Sequence, residues 1–170
     1  MIYDSTCTFV TSDHHFGSWR HNPTPFRPAV FSQAEEEVLV EKWNSTVKPT
    51  DLVLYVGDFC DCETAAELMS YRSRLNGRIV LIKGNHDRLP DGEYEKAFQG
   101  VYERLVLDEF GLVLQHCPCL EGVPGLRQIY GHLHDGDGFV DLSTRNSFCS
   151  CVMRHDGFPV PLENALKKGA

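Results

Sequence analysis

Residues 52–58 read LVLYVGD, an apolar run that stops at the Gly57-Asp58 pair. Five consecutive apolar residues predict a strand that is buried on both faces, as in the parallel sheet of an α/β protein. The same pattern recurs at residues 78–82, RIVLI, which lead into GNHD at residues 84–87. The chain is therefore organised around apolar strands that end in short polar clusters.

Three further apolar runs end in the same way, at residues 7–11, 112–115 and 128–130. They lead into SDHH at residues 12–15, into His116, and into GHLH at residues 131–134. In open α/β sheets, ligands bind just beyond the carboxyl ends of the strands. We therefore expect all five polar clusters to converge on one site.

The segments between these strands carry helix and hairpin signals. Ser32 with Glu35 and Thr64 with Glu67 form capping boxes, which predict the starts of two helices. The remaining predicted elements are a helix at 93–98, a hairpin of 101–107 with 112–115, strands at 139–142 and 148–153, and a helix opened by Pro161. No linker or internal repeat interrupts the pattern, so we expect a single domain over residues 1–170.

Composition excludes several classes of function. Sixteen Lys and Arg against 24 Asp and Glu give a net charge of −8, which argues against a general nucleic-acid-binding surface. No apolar run reaches the roughly 18 residues that a membrane span needs, and residues 1–5 do not resemble the start of a signal peptide. Seven cysteines without an export signal predict free thiols and a cytoplasmic location.

The polar clusters contain the residue types that bind transition metals. These are the carboxylates of Asp13 and Asp58, the amide of Asn85, and the imidazoles of His15, His116, His132 and His134. Such donors suit Mn, Fe, Zn, Co or Ni rather than Ca or Mg alone. If one carboxylate bridges two metals, each metal has four protein ligands, and open positions are left for water and substrate.

These clusters, in this order from residue 13 to residue 134, resemble the five motifs of the calcineurin-like metallophosphoesterase family. The resemblance is to its small, stand-alone bacterial and phage-type members. It implies an α/β fold in which two mixed sheets pack face to face with helices outside, a four-layer α/β/β/α sandwich.

The resemblance also implies a role for each residue. The first metal would be held by Asp13, His15, Asp58 and His134, and the second by Asp58, Asn85, His116 and His132. Asp58 would bridge the two cations, for which manganese is favoured over Fe, Zn, Ni or Co. His86 would face the substrate phosphate or the leaving oxygen, as would Asn85, and Asp87 would orient His86 from behind.

The predicted function is a phosphomonoester or phosphodiester hydrolase that uses a hydroxide bridging two divalent metals. We expect a small-molecule or nucleotide substrate. The alternatives are a non-catalytic protein-binding module on the same fold and a nuclease, the latter disfavoured by the charge. Arg20 and Arg27 are candidates for binding phosphate oxygens, and surface arginines are the competing interpretation.

The remaining cysteines and histidines carry weaker signals. Three Cys-x-Cys pairs occur: Cys60 and Cys62, Cys117 and Cys119, and Cys149 and Cys151. Structural zinc sites usually have wider cysteine spacing, so buried thiols are the favoured interpretation, and a redox-sensitive or extra metal site is the alternative. For His14, His21 and His155 we expect solvent exposure or ordinary hydrogen bonding.

Overall fold

The computed structural model describes residues 8–21, 31–134, 142 and 146–167, without the side chain of His21. A first sheet contains β1 (Thr8–Thr11), β2 (Leu52–Val56), β3 (Arg78–Ile82), β4 (Gly100–Tyr102) and β9 (Val160–Pro161). Its order is β4-β3-β2-β1-β9, with β1 to β4 parallel and β9 antiparallel to β1. The carboxyl ends of β1, β2 and β3 therefore share one edge.

A second sheet contains β5 (Leu105–Leu107), β6 (Leu112–Leu114), β7 (Arg127–Tyr130) and β8 (Ser147–Cys149) in that order. β5 is antiparallel to β6, whereas β6, β7 and β8 are parallel. Both sheets are thus mixed, and the predicted α/β sandwich of two mixed sheets is confirmed.

The helices are α1 (Ser18–His21), α2 (Gln33–Thr46), α3 (Ala65–Arg72), α4 (Asp91–Ala97) and α5 (Leu162–Lys167). Both predicted capping boxes are present, at the starts of α2 and α3. In the first of them, Ser32 donates its backbone N–H to Glu35 over 2.7 Å. Among the described residues, no helix combines the length and apolarity needed to cross a bilayer.

The apolar strands at 52–56 and 78–82 are buried on both faces, as their sequence predicts. Alternate residues such as Tyr55 and Leu81 belong to an apolar cluster that includes Trp43 of α2 and other helix residues. Their neighbours in sequence, such as Leu54 and Val80, pack against the second sheet. The core therefore has two parts, one on each side of the first sheet.

Two predicted strands are divided in the structure. The run 101–107 splits, because Leu81 pairs with Val101 in the first sheet while residues 105–107 pair with β6 in the second. The run 148–153 ends early, since residues 152–155 form a turn of 3₁₀ helix. Of the strand predicted at 139–142, residues 139–141 lie outside the described residues, and Leu142 is not in a strand.

The two sheets meet beside the predicted site. The backbone N–H of Ser150 donates to the Tyr130 carbonyl over 2.8 Å, and that of Val152 donates to the Ser12 carbonyl over 3.1 Å. Because Ser12 follows β1 and Tyr130 ends β7, these bonds connect the carboxyl ends of one strand from each sheet.

Candidate metal centre

The loop after β1 is held against the loop after β2 by backbone hydrogen bonds. Asp13 donates its N–H to the Gly57 carbonyl over 3.0 Å, and His15 donates to the Asp58 carbonyl over 3.1 Å. The Asp13 carboxylate in turn accepts from the backbone N–H of His132, at 3.0 Å. Asp13 thus links loops of both sheets, and its hydrogen bond with His132 fixes the direction of its carboxylate.

The loop after β3 joins the same assembly through Asp87. Its buried carboxylate accepts backbone N–H groups from Asp58 at 2.9 Å, Phe59 at 3.0 Å and Gly84 at 2.9 Å. Burial raises the pKa of Asp87 to about 6, although these hydrogen bonds act against the rise. Asp87 therefore ties the β2 and β3 loops together.

A first group of ligand atoms comes from Asp13, His15, Asp58 and His134, all within 4.8 Å of one another. His15 Nε2 lies 3.5 Å from Asp58 Oδ2, and His134 Nε2 lies 3.6 Å from Asp13 Oδ1. The Nε2 atoms of the two histidines are 3.3 Å apart. A cation between them would accept both nitrogen lone pairs together with the carboxylate oxygens.

A second group contains Asp58, His116 and His132. His116 Nε2 lies 3.1 Å from Asp58 Oδ2. The amide oxygen of Asn85 is 3.1 Å from that nitrogen and 2.9 Å from His132 Nδ1. The structure therefore brings all seven predicted ligands together, with Asp58 common to both groups.

The backbone at these ligands is itself unusual. Asp13, His15, Asp58 and His132 have φ angles of 63°, 47°, 58° and 66°, in the left-handed region that disfavours residues other than glycine. Such strain persists where surrounding contacts over-determine the conformation, and it concentrates at functional sites. The backbone at these four turns therefore brings the side chains to the candidate site at a local energetic cost.

The charges at the site also suit cations. Burial raises the pKa of Asp58, but the hydrogen bond and charge of His116 outweigh it and lower the pKa to about 2. The same contact overcomes burial and raises the pKa of His116 to about 9. Burial lowers the pKa of His134 and of His132. Ionised carboxylates beside imidazoles form the donor set that divalent transition metals prefer, so these residues fit the two-cation prediction.

Asp61 is a site residue that the sequence analysis missed. Its Oδ1 lies 2.6 Å from His86 Nδ1, and its Oδ2 lies 3.6 Å from His15 Nδ1. Burial opposes ionisation, but hydrogen bonds with His15 and His86 hold the pKa of Asp61 well below its usual range. Its place in the sequence, three residues after Asp58 on the same loop, is the signal that could have identified it.

The position predicted for Asp87 is therefore taken by Asp61. Asp87 was expected to orient His86 from behind, but its oxygens accept the backbone N–H groups described above. The reason is geometric, because the turn of residues 84–87 points the Asp87 side chain back at the end of β2. The His86 ring packs edge-on against that of His15, with 4.7 Å between the ring centroids, and the His86 side chain is 14% exposed.

The two candidate arginines have different outcomes. Arg27 lies outside the described residues. Arg20 pairs with Glu67 at 3.1 Å and stacks over Trp19 and Tyr71, and these contacts fit the competing interpretation of a surface arginine.

Two of the remaining histidines make ordinary hydrogen bonds, as expected. His14 is fully buried with Nδ1 2.7 Å from the Tyr55 hydroxyl, and burial, aided by the charge of His15, lowers its pKa to about 3. His155 Nε2 lies 2.8 Å from the Cys149 carbonyl. The side chain of His21 is outside the described residues.

One cysteine pair differs from its prediction. Cys60 and Cys62 form a disulfide, whereas thiols were expected. Cys117, Cys119, Cys149 and Cys151 are thiols. The difference arises because the loop after β2 brings the two sulfur atoms, only two residues apart in sequence, into bonding contact.

The fold and the gathered ligands define an α/β protein with a candidate two-metal centre. The calcineurin-like phosphoesterase family matches residues 8–146, and the chain belongs to that family.

Three further proteins are similar to this chain in sequence or in structure. An uncharacterised protein of Methanocaldococcus jannaschii is 35% identical over 86 residues, and the match spans 47% of this chain but only 46% of that protein. A protein of unknown function from Aquifex aeolicus shares the fold, with a TM-score of 0.70 at 21% identity over 90% of this chain and 94% of that one. A mutant of Vps29 from Entamoeba histolytica has a TM-score of 0.38 at 20% identity, over 75% of this chain and 64% of that one. That last likeness is too low to inform fold or function.

Proposed function

We propose that this protein is a phosphoester hydrolase that works with two divalent cations. The observation that carries the proposal is the placement of Asp58, whose Oδ2 is 3.5 Å from His15 Nε2 and 3.1 Å from His116 Nε2. One carboxylate oxygen thus serves both groups of ligand atoms. A pair of divalent ions bound there would neutralise phosphoryl oxygens and lower the pKa of a coordinated water molecule.

In this proposal the seven ligands keep their predicted roles, with Asp58 as the bridge. Asp13, His15 and His134 hold one cation, and Asn85, His116 and His132 hold the other. Manganese is the proposed metal, since imidazole and carboxylate donors favour it over Mg or Ca. Iron, zinc, nickel and cobalt suit the same donors.

His86 is the proposed group that acts on the substrate directly. Its Nδ1 is held by Asp61 at 2.6 Å, so the ring orientation is fixed. The Nε2 atom is then left to contact a phosphate oxygen or to give a proton to the departing oxygen. The backbone N–H of His86 donates to Asp58 Oδ1 over 2.8 Å, and this bond holds His86 beside the proposed bridging carboxylate.

The proposed substrate is a small-molecule or nucleotide phosphoester, monoester or diester. The net charge of −8 disfavours a nucleic acid substrate, because the acidic protein surface outside the site would repel a polyanion. Asn85, His86 and Arg27 are the proposed substrate contacts, and the cytoplasm is the proposed location.

The test begins with protein stripped of metal by a chelator. Purified apoprotein is reloaded with Mn²⁺ and assayed on aryl phosphomonoesters, aryl phosphodiesters and a panel of nucleotides. We expect turnover only after metal is restored. The matched control is Asp58→Asn, which keeps the side-chain size and removes the bridging charge, and it should bind fewer than two metals and be inactive. Metal loading without turnover on any phosphoester would reject the hydrolase proposal and favour the non-catalytic binding module.

A further inference from the structure

The Cys60–Cys62 disulfide closes a three-residue ring around Asp61, which gives it a direct connection to the proposed active site. Asp61 is the residue whose carboxylate contacts both His15 and His86. Because the ring contains only one residue between the two cysteines, the disulfide restricts the backbone angles of Asp61. The direction of its carboxylate depends on those angles.

The rest of this loop is already held in place by neighbouring residues. Phe16 donates its N–H to the Phe59 carbonyl over 3.0 Å, and Asp61 donates its N–H to the Phe16 carbonyl over 3.0 Å. Cys60 is 1% exposed and packs in the core beside Phe16 and Phe59. Cys60 is therefore the anchored end of the ring.

Cys62 is the accessible end. It is only partly buried and lies at the edge of the same apolar cluster. Cys62 is therefore the more accessible of the two cysteines to a reductant from solvent. Breaking the bond would remove the cross-link between the two neighbours of Asp61, while its N–H would stay bonded to the Phe16 carbonyl.

We propose that this disulfide is a redox-sensitive device that positions Asp61 and thereby sets the affinity of the site for its metal. In the oxidised protein Asp61 is held against the ring nitrogens of His15 and His86. In the reduced protein the carboxylate is less constrained, so His15 binds its cation more weakly and His86 loses its fixed orientation. The effect on turnover rests on the proposed function, whereas the effect on metal affinity does not.

A dithiol or a phosphine can reduce the Cys60–Cys62 disulfide. With a dithiol, the S–S bond between Cys60 and Cys62 breaks, both sulfurs take up a proton and one electron each as thiols, and the dithiol becomes a cyclic disulfide. With a phosphine and water, the same two thiols form and the phosphine becomes a phosphine oxide. Reoxidation needs an oxidant such as oxidised glutathione.

The experiment compares the oxidised and phosphine-reduced forms of the full chain. Alkylation followed by peptide mass spectrometry reports the state of Cys60 and Cys62, and titration of apoprotein with Mn²⁺ by electron paramagnetic resonance reports affinity. We expect the oxidised peptide to resist alkylation. Reduction should raise the Mn²⁺ dissociation constant by roughly tenfold, the low end of the effect of removing a group that supports a metal ligand. Reoxidation should reverse the change.

Two variants separate the disulfide from general effects of the reductant. Cys62→Ser should show the weak Mn²⁺ affinity in either condition, and its partly exposed site makes misfolding less of a risk. Cys117→Ser removes an exposed thiol outside the ring and should respond like the natural protein.

The outcomes distinguish this inference from the proposed function. Equal Mn²⁺ affinity in the oxidised and reduced forms, or full alkylation of Cys60 and Cys62 after treatment with oxidised glutathione, would overturn it. A redox-dependent affinity without turnover in either form would support the positioning device and reject the hydrolase.

Discussion

At the scale of the residue, His86 is close to the candidate metal ligands without belonging to either of the two main groups of ligand atoms. Its ring touches Asp61 at 2.6 Å and packs against His15. We predict that His86→Gln reduces turnover by roughly 10²–10⁴-fold, the usual contribution of a general acid or base. Metal content should stay near that of the natural protein. Elemental analysis beside a steady-state assay measures both quantities on the same sample.

The control for this variant is His132→Gln, which changes a residue in the second ligand group. That variant should lose metal as well as turnover. If His86→Gln lost metal to the same extent, His86 would be a ligand and its proposed role would be wrong.

Asp61 supports a second prediction at this scale. Asp61→Asn keeps the size of the side chain but removes the charge that faces His15 and His86. We expect kcat to fall by about 10–100-fold and the metal dissociation constant to rise by a similar factor, the usual effect of removing a group that supports a metal ligand. Kinetics on a phosphodiester and a Mn²⁺ titration would check the two effects.

A conservative change elsewhere tests whether the effect is specific. Asp91 is a largely exposed carboxylate paired with Lys83 at 2.6 Å, and its Asn variant should keep normal kinetics. Asp61→Glu offers a rescue, since a carboxylate restored on a longer arm should recover part of the loss. Unchanged kcat and metal affinity in Asp61→Asn would show that the two contacts are incidental.

At the scale of the element, Gly57 provides a sharper test of how the loops fit together. Its φ is 87°, and a Cβ placed there would overlap the imidazole of His116. Gly57→Ala should therefore lower the free energy of unfolding by about 2–4 kcal/mol, from the left-handed backbone and from overpacking. It should also reduce metal content, because His116 must move. Chemical denaturation and elemental analysis measure the two consequences.

Gly111 is the matched control for that substitution. It also has a positive φ, 57°, but no atom lies within 4 Å of the position of an added Cβ. Gly111→Ala should cost only about 1–2 kcal/mol, the penalty for the backbone conformation alone. Equal losses in the two variants would mean that the close approach of Gly57 to His116 has no energetic consequence.

Local patterns predicted the elements that depend on local contacts. The strand at 52–56 and the capping box of Ser32 could be predicted because each depends on a pattern only a few residues long. The division of 101–107 between two sheets was not readable, because the pairing partners of Val101 and Leu105 are chosen by tertiary packing. An apolar run alone does not specify which sheet a strand joins.

The candidate site shows the same division. The convergence of its candidate ligands could be predicted because each follows an apolar strand in an order that resembles a known family. The contact of Asp61 with His86 could not, because the two residues are 25 positions apart and their meeting depends on how two loops pack. The disulfide was missed for a similar reason, since cysteine spacing does not specify loop geometry.

At the scale of the whole molecule, the candidate metal centre connects the two sheets. Asp13, Asp58 and Asn85 follow strands of the first sheet, whereas His116, His132 and His134 follow strands of the second. Cations bound among them would cross-link the loops of both sheets and would bind the folded chain rather than the unfolded one. We therefore predict that Mn²⁺ raises the melting temperature of apoprotein.

The size of that shift follows from linkage. Mn²⁺ at 100 times its dissociation constant stabilises the folded state by about 2.7 kcal/mol per site. For a chain of this length, 1 kcal/mol corresponds to roughly 2–4 °C, so one site should raise the melting temperature by about 5–10 °C. Differential scanning fluorimetry at several Mn²⁺ concentrations would measure it, and Mg²⁺ should produce a smaller shift because imidazole ligands suit it poorly.

The variant that tests whether two cations bind is His132→Ala, because the side chain of His132 is exposed and its removal should leave the core intact. It removes a second-sheet ligand from the second group while the first group, with His134, still spans both sheets. The Mn²⁺-induced shift should fall to about that of a single site. If the variant showed the same shift as the natural protein, only one cation would bind. If Mn²⁺ did not change the melting temperature of the natural protein, there would be no metal centre between the sheets.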